Sequence, residues 1–121
     1  MITIYGIKNC DTCRKALKWL EAEGRAHKFH DFRSDGLRGE TIRDFIDDLG
    51  MDAVLNRRST SWRELDDTSR AVLQGGDLDA VVELLIQHPT LIKRPVFDTG
   101  KGMLNGFGPG QGSVRNSVSF L

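Results

Sequence analysis

Residues 6–14, Gly-Ile-Lys-Asn-Cys-Asp-Thr-Cys-Arg, constrain this chain more than any other stretch. In front of them Ile2 and Ile4 alternate with Thr3 and Tyr5, which predicts a short strand over Met1–Tyr5. Behind them Cys13, Ala16, Leu17 and Leu20 recur on one face of a helix over roughly 12–23, with Gly24 as its stop. Cys10 therefore falls where a strand turns into a helix, and Cys13 in the first helical turn. Asp11 or Thr12 can cap that turn by accepting a backbone N–H.

The chemistry of such a position follows from electrostatics. A helix N-terminus presents unpaired N–H groups and about half a positive charge, which favours a thiolate over a thiol. Lys8 and Arg14 add cationic side chains on either side, and the same N–H groups suit an oxyanion or a carboxylate. Cys10 is thus the candidate nucleophile and Cys13 a candidate resolving thiol. Two alternatives stand beside this. The pair could be half of a zinc site, but no second pair exists and His27, His30 and His88 do not form a His-x-x-x-His partner, so no metal is expected. Cys13, on the apolar face, could instead be an inert core residue.

The 121 residues are expected to form one domain around one core. Seventeen basic and 17 acidic residues balance, which removes the usual electrostatic case for direct nucleic-acid binding. No basic start precedes an apolar run, no stretch approaches the length of a membrane span, and two cysteines are too few for a secreted disulfide framework. The expectation is a cytoplasmic protein without a membrane partner.

Further along, Ala26–Phe32 reads as a second strand, so the opening is a strand–helix–strand unit with parallel pairing and a right-handed crossover. A lone strand histidine is usually a packing or surface residue, and His27 and His30 are read so. Ile42, Phe45, Ile46 and Leu49 mark a helix over 39–49 that Gly50 ends. The polar stretch Asn56–Trp62 carries two adjacent arginines, Arg57 and Arg58, with hydroxyls and an aromatic; it suits an anion-binding loop, or equally a solvated basic turn before a core tryptophan. Asp66–Gln74 reads as a short helix broken by Gly75-Gly76. Asp77 or Asp79 caps the next helix, whose stripe is Leu78, Val81, Val82 and Leu85. Pro95, before a short strand, is a candidate for a cis peptide bond. Gly100-Lys101-Gly102 is a hairpin turn leading to Met103-Leu104. The Gly-rich tail over 106–121 lacks both the P-loop ending and the dinucleotide glycine spacing, and reads as a flexible loop.

Taken together, Ile4-Tyr5-Gly6, Asn9–Ala16, Leu55-Asn56-Arg57, Trp62–Leu65, His88-Pro89, Ile92–Pro95 and Leu104–Phe107 resemble, in order and spacing, the arsenate reductase (ArsC) family, in its YffB and Spx/MgsR-related branch. The resemblance implies an α/β, thioredoxin-like fold, a small mixed sheet flanked by helices, with a helical insertion over approximately 38–88. It implies that Cys10 is the nucleophile and that Arg94, before Pro95, stabilises an anionic adduct, with Arg14 matching the arginine after the cysteine loop. By unbroken counting another family arginine falls on Asn56, with Arg57 one position later, and the late one falls near Gly106. Each charge-assisted contact to a bound oxyanion contributes about 1.5–3 kcal/mol, so the resemblance implies a thiol-reactive or small oxyanion substrate rather than efficient arsenate reduction. Arg94 with Arg57 or Arg58 would hold its anionic group. Glutathione is the implied co-substrate, with glutaredoxin a further partner and no bound cofactor. The alternative implied by the Spx relatives is a redox switch that binds the α subunit of RNA polymerase.

Overall fold

The computed structural model describes residues 1–107. The tail expected to be flexible over 106–121 falls outside the described residues from 108 onward; at Gly106 and Phe107 the expectation is corrected, since both are buried and Phe107 joins the core. The chain divides into two compact units, one made of residues 1–36 and the segment from Arg94 on, the other of Leu37–Lys93.

The first unit is built on a sheet of four strands, β1 (Ile2–Gly6), β2 (His27–Asp31), β3 (Val96–Asp98) and β4 (Met103–Asn105), in the order β2-β1-β3-β4. β1 and β2 pair in parallel, with Ile2 opposite His27 and Gly6 opposite Asp31. This is the pairing the strand–helix–strand pattern predicts, because α1 (Asp11–Ala22) supplies the crossover. β3 runs antiparallel to β1, with Tyr5 opposite Val96, and β4 antiparallel to β3. The turn between β3 and β4 carries Gly100 at φ +84 and Gly102 at φ +147, so both glycines of the predicted hairpin occupy backbone that other residues rarely adopt.

Alternation in β1 puts Ile2 and Ile4 on one face, where Ala16 and Leu20 of α1, Phe97 and Phe107 close the core. Leu17, Trp19, Phe29 and Leu104 pack around its rim, and the rings of Trp19 and Phe107 lie 5.5 Å apart. His27 and His30 take up local contacts: His27 Nδ1 meets the Arg25 carbonyl at 2.7 Å, and His30 Nε2 meets that of Gly36 at 2.7 Å while its ring packs on Tyr5.

The second unit is helical: α2 (Gly39–Leu49), α3 (Met51–Val54), α4 (Thr60–Glu64), α5 (Asp67–Gly75) and α6 (Leu78–Gln87), followed by a 3-10 turn at Pro89–Leu91. Ser59, Asp66 and Asp77 cap α4, α5 and α6 with their side-chain oxygens, so Asp77 rather than Asp79 starts the last helix. Asp79 pairs instead with Arg43. Its core includes Ile42, Phe45, Val54, Leu73, Leu85 and Ile92, all fully or nearly fully buried. One expectation fails here: Leu78 is 41% exposed, because at the start of α6 it lines an open cavity with Ile46, Met51 and Leu73, while Val81, Val82 and Leu85 are buried. The one-turn α3 is followed by Leu55, which bridges to Ile92. Among the described residues no helix is long and apolar enough to cross a membrane.

Phe97→Ala should destabilise the protein by about 3–5 kcal/mol, the cost of emptying a fully buried aromatic site. Leu78→Ala should cost clearly less, about 1 kcal/mol, because that side chain is already 41% exposed. Urea unfolding of both variants checks the pair.

Candidate functional site

Cys10 is the N-cap of α1, in extended backbone at φ −97 and ψ 119. The expectation that Asp11 or Thr12 caps the helix is therefore corrected. Asp11 is already helical, and its carboxylate is engaged by Arg14 three residues on, as side chains at that spacing meet. The chain reaches Cys10 through a turn over Ile7–Cys10, closed by the Cys10 N–H donating to the Ile7 carbonyl at 3.1 Å, and the Cys10 carbonyl accepts the first helical bond from Arg14 N–H at 3.0 Å.

The two thiols live in opposite environments. Cys10 is partly exposed and Cys13 is 1% exposed, and both are free. Partial burial works against the Cys10 thiolate, but the Cys13 N–H, the Cys13 thiol, the positive charge of Arg94 and the Thr12 N–H outweigh it and hold Cys10 below the ordinary cysteine range. Cys13 is pushed up to about 12, first by burial and then by its hydrogen bond and charge interaction with Cys10, which the Ile7 N–H and Arg94 offset only in part. At neutral pH Cys13 is thus a protonated donor facing the Cys10 sulfur, not a second nucleophile.

Gly6 makes this arrangement possible. A Cβ at Gly6 would lie 2.5 Å from Cys13 Sγ and 3.5 Å from the Phe29 ring. Only a residue without a side chain lets the end of β1 pass over the sulfur of Cys13.

The other predicted residues separate by unit. Arg94 and Pro95 lie in the first unit, on the approach to β3. The Arg94–Pro95 bond is cis, as expected, Pro95 is buried, and its carbonyl accepts the Gly106 N–H at 2.9 Å. Arg94 acts on both sulfurs. Lys8 is exposed and enters the site through its backbone N–H, which donates to Asp31 Oδ2 at 2.8 Å. Arg14 points its guanidinium to Asp11. Asn56, Arg57 and Arg58 belong to the second unit. Arg57 pairs with Asp52 at 3.2 Å and stands 5.7 Å from the centre of the Trp62 ring, a cation–π distance. Asn56 folds its own loop: its N–H donates to the Leu91 carbonyl at 2.8 Å and its Oδ1 accepts from Arg58 N–H at 3.2 Å. Trp62 is only partly buried, so the expectation of a core tryptophan after the basic turn is corrected. Among the described residues no group of three or more His, Cys, Asp or Glu side chains is placed to hold a metal ion.

Sequence reasoning missed Asp31. It is a buried carboxylate at the end of β2 whose oxygens accept three backbone N–H groups, from Lys8, Arg33 and Ser34. The available signal was an aspartate ending an otherwise strand-like run, followed by a turn at Ser34–Gly36.

The model of the ArsC family matches residues 5–113. An uncharacterised protein of Haemophilus influenzae is 45% identical over 86% of this chain and 90% of its own length. The regulatory protein MgsR of Bacillus subtilis is 31% identical over 91% of this chain and 86% of its own. The solved structure of a YFFB protein superposes with a TM-score of 0.80 at 39% identity, covering 90% of this chain and 93% of that one. The fold shared with that structure is thioredoxin-like, a small mixed sheet flanked by helices.

Two measurements check the site. The pH midpoint of Cys10 alkylation should lie below that of an ordinary cysteine, about 8.5, and Arg94→Ala should raise it, because a nearby positive charge favours the thiolate. Gly6→Ala should destabilise the protein in thermal unfolding, and Cys13→Ala should restore part of the loss by removing the sulfur that the new methyl group strikes.

Proposed function

This chain belongs to the ArsC family, and we propose that it is a thiol-dependent reductase with Cys10 as its nucleophile and glutathione as its reductant. One observation carries the reading: the Cys10 sulfur sits at the head of α1, where the Cys13 N–H and thiol, Arg94 and the Thr12 N–H favour the thiolate against the effect of burial.

The reaction is thiol–disulfide exchange. The Cys10 thiolate attacks the glutathione sulfur of a mixed disulfide R–S–S–G. A Cys10–glutathione disulfide forms, and R–S⁻ leaves and takes a proton from water. A glutathione thiolate then attacks the glutathione sulfur of that adduct, forming oxidised glutathione and returning Cys10 as thiolate. Overall, R–S–S–G and one glutathione thiol give R–SH and oxidised glutathione: the R–S sulfur is reduced, the sulfur of the incoming glutathione is oxidised, and the glutathione carried in with the substrate stays at the disulfide level throughout. Arg94 supports both steps by pairing with an anionic group of the incoming molecule and by stabilising Cys10 each time it leaves as thiolate. Cys13 contributes its S–H to the Cys10 sulfur; burial and its high pKa make it a poor resolving thiol. A reducing cytoplasm supplies the glutathione this scheme needs, and a glutaredoxin could take the place of the second glutathione. A thiol-reactive substrate fits better than arsenate, since Asn56 and Gly106 stand where the resemblance to arsenate reductases calls for arginine.

A second reading draws on one specific likeness, the similarity to the regulatory protein MgsR along 91% of the chain. Under it, oxidation at Cys10 and Cys13 changes the affinity of the chain for the α subunit of RNA polymerase. Pull-down with the C-terminal domain of polymerase α, with cysteines oxidised and reduced, separates the two, since redox-dependent capture belongs to the regulator alone.

Exposure to oxidised glutathione should give a single mixed disulfide on Cys10, seen by peptide mass spectrometry. Cys10→Ser should abolish both this adduct and glutathione-coupled turnover. Turnover retained in Cys10→Ser would remove Cys10 from the mechanism.

A further inference from the structure

Asp31 is an anomaly by burial alone, since an ionised carboxylate is costly to remove from water unless its oxygens are satisfied. Here they are. Oδ1 accepts from the N–H groups of Arg33 at 2.7 Å and Ser34 at 3.0 Å, and Oδ2 accepts from the N–H of Lys8 at 2.8 Å. Burial pushes the Asp31 carboxyl up, but the N–H groups of Ser34, Lys8 and Arg33 and the charge of Lys8 outweigh it and hold the group below the usual carboxylate range. Three converging donors call for a group that only accepts, and a carboxylate is the side chain with two such oxygens and no proton to place.

What these bonds join is specific. The turn after β2 winds around Asp31, whose N–H donates to Asp35 Oδ2 at 2.9 Å and whose carbonyl accepts the Asp35 N–H at 2.9 Å. The turn after β1, Ile7–Cys10, delivers the thiol to α1. Its closing bond uses Cys10 N–H and leaves the Lys8 N–H directed to Asp31. The Phe32 N–H, donating to the Gly6 carbonyl at 2.8 Å, ties the two chains together immediately below. We propose that Asp31 is a positioning residue for Cys10: its carboxylate fixes the backbone at Lys8, two residues before the sulfur, and thereby holds that sulfur over the N–H groups of Thr12 and Cys13. This rests on the reading of Cys10 as the reactive thiolate. The charged and titratable groups around the assembly are Lys8 and Asp35 at Asp31, and Cys13 and Arg94 at Cys10.

The test is the pH dependence of Cys10 alkylation by iodoacetamide, read on the Cys10 peptide by mass spectrometry. Asp31→Asn keeps the shape of the side chain. Its oxygen can still serve Arg33 and Ser34, but an NH₂ group then faces the Lys8 N–H, donor against donor. Removing a negative charge by itself would lower the Cys10 midpoint, whereas loss of positioning raises it, so the sign separates the two effects. The expected result is a rise of about one pH unit, hence about tenfold less thiolate below both midpoints. Lys8→Pro removes the donor instead. Lys8 occupies the first central position of its turn, which accepts proline, and Lys8→Ala controls for the lost ammonium. Lys8→Pro should raise the midpoint relative to Lys8→Ala, and adding Asp31→Asn should raise it no further, as for two changes that break one bond. If wild-type Cys10 titrates low and Asp31→Asn leaves the midpoint unchanged or lowers it, the role of Asp31 is overturned and the reductase reading stands. If wild-type Cys10 titrates as an ordinary cysteine, both fall. Should Asp31→Asn fail to fold, Lys8→Pro against Lys8→Ala decides alone, equal midpoints overturning the proposal.

Discussion

The close approach of the Gly6 backbone to the sulfur of Cys13 is the contact on which this site depends. It fixes how the end of β1 lies on the first turn of α1, and so where the helix begins. Because the helix begins just after Cys10, that residue stays in extended backbone and its side chain falls among the first free N–H groups rather than among helix neighbours. A larger residue at position 6 would push strand and helix apart, and the helix start would lose its relation to the sheet. The packing term is small in area and decisive in direction.

The same contact divides the labour of the two cysteines. Cys13 is consumed by packing: buried against Gly6, it keeps its proton far above neutral pH. That proton is then available to the Cys10 sulfur, so the inert thiol strengthens the reactive one. Sequence spacing makes Cys10 the candidate nucleophile but leaves Cys13, on the apolar face, either a resolving thiol or an inert core residue. Burial breaks the symmetry, because desolvation penalises the thiolate only where water is excluded.

How legible this was depends on which interactions are local. The strand ahead of Cys10, the helix face of Ala16 and Leu20, the bounds of α2 and the glycine hairpin at 100–102 all follow from periodicity and backbone preference, which the chain writes within a few residues. The helix caps were only half legible. Asp77 caps α6 as expected, but at α1 the cap fell to Cys10, since Asp11 found Arg14 at helical spacing and became the first helical residue. Leu78 was misread because a hydrophobic stripe counted by spacing does not say where the covering layer ends. Asp31 had only a weak local signal, an aspartate ending a strand before a turn, and nothing that tied it to the site. Its three donors come from backbone N–H groups, which have no side-chain signature, and one of them lies 23 residues away.

Topology explains why these distant pieces meet. β1 and β2 run in parallel, so their C-terminal ends, at Gly6 and Asp31, emerge side by side. β3 runs the other way, and with Val96 opposite Tyr5 its entering residues, Arg94 and Pro95, arrive at that same end of the sheet. One edge therefore collects the turn that carries the thiol, the carboxylate that holds that turn, and the guanidinium that favours the thiolate. Each comes from a different strand, and none needs a long side chain to bridge a gap. Strand direction sets the charge pattern as well: the carboxylate meets the backbone at Lys8, whereas the arginine acts on the sulfurs. Two opposite charges at one edge would otherwise pair with each other and leave Cys10 to the helix alone. Among the described contacts Asp31 spends its oxygens on N–H groups instead, and Arg94 keeps its charge for the nucleophile.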